Sequence, residues 1–317
     1  MSIKTRKIVI VGSGNVGSHC AFSLAIQGIC DEIVMIDKIE KKANAEAVDL
    51  SDTISYLPHY VKSKKGTFKD CEDADIVVVS LGVPPEDNKS RLDYLEDTIN
   101  EVNTIIDPIL ESGFNGIFIV ISNPVDVIAH YIWEKTGFPK NKVFGTGTTL
   151  DSSRLRRILS DEAGIDQKSI QAYCMGEHGD SQMVPWSHVY FGGKPLFDLM
   201  KEKPETYGKL NLDELASRTA NAAYEIIAGK GCTEFGIGVG LSEIVKAILH
   251  DEKRILPAST LLEGQYGEEN VFASVPVILG KNGVEEIVEI NLTEKEKLQF
   301  NHTCGILREY IEKANTL

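Results

Sequence analysis

Apolar runs alternate with helical repeats from the start of the chain. Ile8-Val9-Ile10-Val11 places four β-branched residues in a row and leads directly into Gly12-Ser13-Gly14-Asn15-Val16-Gly17. An unbroken apolar run of this kind predicts a strand buried on both faces, as in a parallel sheet. From Val16 to Ile26 the apolar positions recur at helical spacing, and Gly28 is placed to stop that helix. The pattern predicts strands at 7–11, 32–36, 75–80, 117–122 and 142–144, with helices at 15–27, 38–55, 92–112 and 125–136. This rhythm points to an α/β fold with a doubly wound parallel sheet.

Past residue 146 the rhythm changes. Helices are predicted at 211–229 and 239–250, ahead of strand-like runs at 254–262 and 271–279. Asn282-Gly283 is a hairpin signal, and Thr293-Glu294-Lys295-Glu296 spells a capping box for a terminal helix. The second half therefore reads as α+β. The expected division is a nucleotide-binding domain over 1–146 and a substrate domain over 147–317.

The glycine run has chemistry as well as geometry. In G-x-G-x-x-G the first glycine allows a tight turn, the second lets the backbone approach a pyrophosphate, and the third permits close helix–strand packing. Gly12, Gly14 and Gly17 hold those places. The helix that follows offers free N–H groups to a phosphate. Asp37 closes the second apolar run, ~20 residues past the last glycine, where a carboxylate can bond the adenosine ribose hydroxyls. The constellation predicts a dinucleotide site.

Composition narrows the class. The 317 residues are 42% hydrophobic and 25% charged, as in a soluble globular protein. A net charge of −14 disfavours nucleic acid and anionic membranes as partners. A small anionic substrate would need locally placed arginines. No cysteine pair has C-x-x-C spacing, so the six read as free thiols, with neither a zinc site nor a redox pair suggested. No signal peptide or membrane span is legible, so the expected location is cytoplasmic.

Other motifs fall at predicted strand ends, where ligands bind in such sheets. Gly82-Val83-Pro84-Pro85-Glu86-Asp87-Asn88-Lys89-Ser90-Arg91 reads equally as an exposed connector or an active-site lid. In Ser122-Asn123-Pro124-Val125-Asp126, Asn123 suits either a helix N-cap or a ribose hydroxyl. Asp151 and Arg154, at i and i+3, share a helix face, and spacing alone describes an ordinary ion pair. His178, within Gly176-Glu177-His178-Gly179-Asp180-Ser181, is the histidine framed by glycines; histidines in general are more often structural.

In this order, these motifs together resemble the L-lactate/malate dehydrogenase family over nearly the whole chain. Lys230-Gly231-Cys232-Thr233-Glu234 and Gly264-Gln265-Tyr266-Gly267 resemble its lactate branch. The resemblance implies a Rossmann domain that binds NAD and a hydride transfer between nicotinamide and a small 2-oxo or 2-hydroxy monocarboxylic acid. It implies that His178 carries the proton, Asp151 holds its other ring nitrogen, and Arg154 clamps the substrate carboxylate with a two-pronged fork. Arg91 would close over the carbonyl, Asn123 would contact substrate and ribose, and Thr233 would line the pocket floor. On the cofactor side it adds Val16, Lys42, Gly82, Val83, Thr104 and Thr146, and it implies a homotetramer ahead of a dimer.

Two departures bear on specificity. The third residue after the glycine that opens the lid is usually arginine in malate dehydrogenases and glutamine in lactate dehydrogenases. This chain has Pro85 there, which argues against oxaloacetate and leaves pyruvate or a larger 2-oxo acid. Allosteric bacterial relatives bind fructose 1,6-bisphosphate through an arginine and a histidine. Arg156 matches the first, but Gln171 replaces the second, so weak activation or none is expected. Related NAD-dependent glycosidases need a metal held by Cys and His, and a non-catalytic NAD-binding protein would be expected to have lost His178 or Arg154.

Overall fold

The computed structural model describes residues 4–82 and 94–317. The alternating half folds as β1 (Lys7–Val11), α1 (Asn15–Gln27), β2 (Glu32–Ile36), α2 (Glu40–Thr53), β3 (Lys62–Lys65) and β4 (Ile76–Val79). It continues with α3 (Leu95–Glu111), β5 (Ile117–Val120), α4 (Val125–Thr136), β6 (Val143–Gly145) and α5 (Thr149–Ala163). The β-branched run of β1 is buried along its whole length, between β2 and β4 in parallel register. Gly28 ends α1 at φ 63°, in the left-handed region that a C-terminal glycine adopts without penalty.

β3 was not predicted. Its sequence, Lys-Ser-Lys-Lys, has no apolar residue to signal a strand, yet it pairs in parallel with β2 at the edge of the sheet. Lysines suit an edge because their charge discourages pairing with another chain. The predicted strands at 75–80 and 117–122 are shorter in the structure, and the helix predicted from 38 starts at Glu40. The predicted lid falls almost wholly outside the described residues.

The second half contains β7 (Ile170–Gln171), β8 (Tyr190–Phe191) and β9 (Lys194–Pro195), a small antiparallel sheet, then α6 (Leu196–Glu202), α7 (Leu212–Lys230) and α8 (Phe235–Leu249). β10 (Arg254–Glu263), β11 (Glu269–Gly280) and β12 (Gly283–Ile287) form an antiparallel meander before α9 (Glu294–Ala314). Both halves of the predicted capping box form at Thr293 and Glu296. α8 starts four residues before its predicted start. Glycines at 236, 238 and 240 masked that turn, and Gly238 brings α8 against the α1 backbone at His19.

The meander does not make a separate sheet. It joins β6 through one antiparallel pair, Ser259 with Gly145, giving a nine-stranded order of β12-β11-β10-β6-β5-β4-β1-β2-β3. One hydrophobic core runs through this sheet and its helices, and a second lies among α5, α6, α7 and the small sheet. A cleft lies past the carboxyl ends of β1, β4, β5 and β6, between the glycine loop and the helices of the second half.

Candidate active site

The cleft has a volume of about 640 Å³. Its nucleotide end is the glycine loop. Gly12 sits at φ +101°, and a Cβ there would collide with the Ser80 carbonyl. A Cβ on Gly17 would collide with the Gly12 carbonyl, whereas one on Gly14 would meet nothing within 4 Å among the described residues. Gly12 and Gly17 therefore build the turn, and Gly14 leaves the cleft wall open. No side chain among the described residues caps α1, whose first residues, Asn15 and Val16, line the cleft. Asp37, at the end of β2, accepts the Ser13 N–H at 2.8 Å and the Ile39 N–H at 2.9 Å, fixing the loop beside the strand.

Lys42, Gly82, Asn123 and Thr146 also line the cleft. The Asn123–Pro124 bond is cis. The buried Oδ1 of Asn123 has no hydrogen-bond partner among the described residues. An open glycine wall, an uncapped helix start and an orphaned amide oxygen together fit a dinucleotide. Thr104 corrects the sequence reading. It is exposed on α3, its hydroxyl donates to the Glu101 carbonyl, and it does not line the cleft. The α3 contribution comes instead from Thr98, about 9 Å nearer the helix start at 1.5 Å per residue. Val83, Pro85 and Arg91 lie outside the described residues.

At the other end of the cleft, α5 and the 176–181 turn meet. Asp151 and Arg154, one helical turn apart, are both buried. Arg154 Nη1 donates to Asp151 Oδ1 at 3.0 Å, and His178 Nδ1 lies 2.5 Å from Asp151 Oδ2. This carboxylate is therefore no ordinary surface pair. With Nδ1–H directed at Asp151, Nε2 is the ring nitrogen left for a ligand. His178 and Arg154 both line the cleft. His178 does not follow a regular strand. It comes after two isolated bridges, Met175 with Met183 and Gly176 with Ser274.

The sequence reading missed the wall supplied by α7. Ala223, Ile227 and Lys230 repeat at i, i+4 and i+7 along the cleft, and Tyr224 donates its hydroxyl to Asp180 at 3.0 Å. Only the end of this wall, Lys230 to Glu234, stood out in the sequence. Thr233 follows on the same wall.

Family models match both halves. The lactate/malate dehydrogenase NAD binding domain matches residues 6–145, and the lactate/malate dehydrogenase alpha/beta C-terminal domain matches residues 148–317. The chain belongs to the lactate/malate dehydrogenase family. An L-lactate dehydrogenase of Fusobacterium nucleatum subsp. nucleatum is 46% identical over 310 residues, 98% of this chain and 97% of that protein. The ligand-bound minor L-lactate dehydrogenase of Enterococcus mundtii superimposes with a TM-score of 0.94 at 40% identity, covering 98% of this chain and 99% of that one. Cryptosporidium parvum malate dehydrogenase superimposes nearly as well, with a TM-score of 0.93 at 30% identity over 99% and 100% of the chains. In this family the backbone does not separate lactate from malate chemistry, so the side chains at the site must.

Proposed function

We propose that this chain is an NAD-dependent L-lactate dehydrogenase, interconverting pyruvate and L-lactate. The observation that carries the reading is the buried Arg154–Asp151–His178 chain of contacts opening on a dinucleotide-shaped cleft. Similarity to L-lactate dehydrogenases over the full length supports the choice of substrate.

When bound, NADH supplies the hydride that reduces C2 of the 2-oxo acid. The chain's own residues do the rest. His178 delivers a proton to the carbonyl oxygen through Nε2, and Asp151 fixes the tautomer and stabilises the imidazolium. Arg154 offers its fork to the substrate carboxylate, a geometry that lysine lacks. Asn123 turns its amide to the substrate and ribose, Thr233 bounds the pocket floor, and Asp37 meets the adenosine ribose. Arg91 is assigned, by resemblance, to polarise the carbonyl. In this division residues 1–146 bind the cofactor and 147–317 the substrate.

A larger 2-oxo acid is the second reading, favoured by Pro85 where a polar residue is usual and by the apolar α7 wall. Assaying pyruvate, 2-oxoisocaproate and oxaloacetate with NADH tests both. Pyruvate is expected to give the highest kcat/KM; a clear lead for 2-oxoisocaproate would select the second reading, and one for oxaloacetate would overturn both. No helix among the described residues is long and apolar enough to cross a membrane. A cytoplasmic location is proposed with the family activity. A homo-oligomer, tetramer before dimer, is proposed as the working form.

A further inference from the structure

Asp126 lies in the first turn of α4 and is 1% exposed. An acid at a helix start is ordinarily explained by the helix dipole. This one spends its oxygens elsewhere. Oδ2 accepts the backbone N–H of His178 at 2.8 Å, and Oδ1 faces the hydroxyl of Ser274 at 3.4 Å. That hydroxyl oxygen in turn accepts the N–H of Thr148 at 3.0 Å, at the start of the helix that carries Asp151 and Arg154. The Ser274 main chain also pairs with Gly176. A buried carboxylate thus ties the histidine turn and, through Ser274, the start of α5 to one point on α4.

We propose that Asp126 is a positioning residue for His178: it anchors the main chain of the turn while Asp151 orients the ring. The inference rests on His178 being the proton carrier proposed above. The other groups around the turn are accounted for. Arg154 is paired to Asp151, and the Glu177 carboxylate accepts the Ser181 N–H and hydroxyl. α9 contributes the Thr303 hydroxyl, which accepts the Glu177 N–H, and the Cys304 thiol, which burial pushes well up. β10 and β11 offer the Ser259 and Ser274 hydroxyls. Burial also pushes the Asp126 carboxyl up to about 6, so its charge is held here at a cost that an apolar or amide residue would avoid.

The test compares Asp126→Asn, Asp126→Ala and His178→Asn by kcat, KM for pyruvate, NADH Kd and the pH profile of pyruvate reduction. Asp126→Ala loses the anchor, and kcat is expected to fall ~10²-fold, the scale of a 1 Å misplacement, with NADH Kd unchanged. Asp126→Asn keeps an oxygen for the His178 N–H and should recover most of that loss. It also removes a negative charge near the histidine turn, so the alkaline fall in kcat/KM should move to lower pH. A structural role alone would not move that limb. Wild-type kcat with an unmoved limb in Asp126→Asn overturns the inference, even if the alanine variant fails to fold. Turnover surviving in His178→Asn would instead remove the reading beneath it.

Discussion

Asp37 and Asp126 show how surroundings divide two similar acids. Asp37 sits at the cofactor end of the sheet with two backbone N–H groups on its oxygens. Lys38, the neighbouring cation that might have welcomed a 2′-phosphate, is paired with Glu101 at 2.5 Å. NADH should therefore exceed NADPH in kcat/KM by roughly a hundredfold, the ratio that about 3 kcal/mol commands. Asp37→Ser should narrow the gap, and equal values in the wild type would contradict the assignment. Asp126 differs because burial raises its folded pKa to about 6 from the ordinary 3.8. The folded state then binds more protons than the unfolded state between about pH 4 and pH 6, so stability falls as pH rises through that window. Asp126→Asn escapes this penalty. Its melting temperature should exceed that of the wild type at pH 8, by up to roughly 3 kcal/mol of stability, and the advantage should vanish near pH 4. A less stable Asn variant at pH 8 would show that the carboxylate is a net gain where it lies.

At the scale of elements, the glycine loop separates folding from binding within a few residues. A Cβ at position 17 has nowhere to go, while position 14 faces open space among the described residues. Gly17→Ala should destabilise the protein by roughly 1–3 kcal/mol through overpacking. Gly14→Ala should melt like the wild type and bind NADH at least ~10-fold more weakly, since a methyl group would keep the backbone from the pyrophosphate. Thermal melts and NADH titration of the pair decide the matter, and parallel losses in both would refute the division. The loop was legible because its strand and helix are strongly patterned on either side. β3 was not, because an all-polar edge strand is defined by its partner and not by its own residues. Asp151, Arg154 and His178 were legible as motifs, but that one carboxylate joins them was implied only by the family resemblance, since spacing relates Asp151 to Arg154 while 27 positions separate it from His178. Thr104 was misjudged for a related reason: its place on α3 depends on where that helix crosses the sheet. Asp126 was visible as a letter, and only the fold shows that it reaches His178.

At the scale of the molecule, exposed apolar side chains recur in pairs on helices flanking the cofactor half. Phe22 and Ile26 stand one turn apart on α1, and Phe235 and Val239 one turn apart on α8, which packs against α1. Val48 on α2 and Tyr56 just beyond it add to them; Phe235 is 66% exposed and Tyr56 91%. Scattered apolar residues need no explanation, but pairs repeated along adjacent helices do. The homo-oligomer proposed above would account for them, because a two-fold contact lets one such face cover itself. Each chain carries a net charge of −14, so such an association would work against long-range repulsion and would have to draw on this apolar area. Sedimentation should therefore find a dimer or tetramer whose dissociation constant rises at low salt, where repulsion is least screened. Phe22→Glu with Val239→Glu should shift the population towards monomer, as each exposed charge would have to be buried without a partner. The cleft lies beyond the strand ends, so NADH affinity measured above the new dissociation constant should stay near wild type. A monomeric wild type at micromolar concentration, or a double variant that sediments unchanged, would show that these helices meet solvent and not a partner.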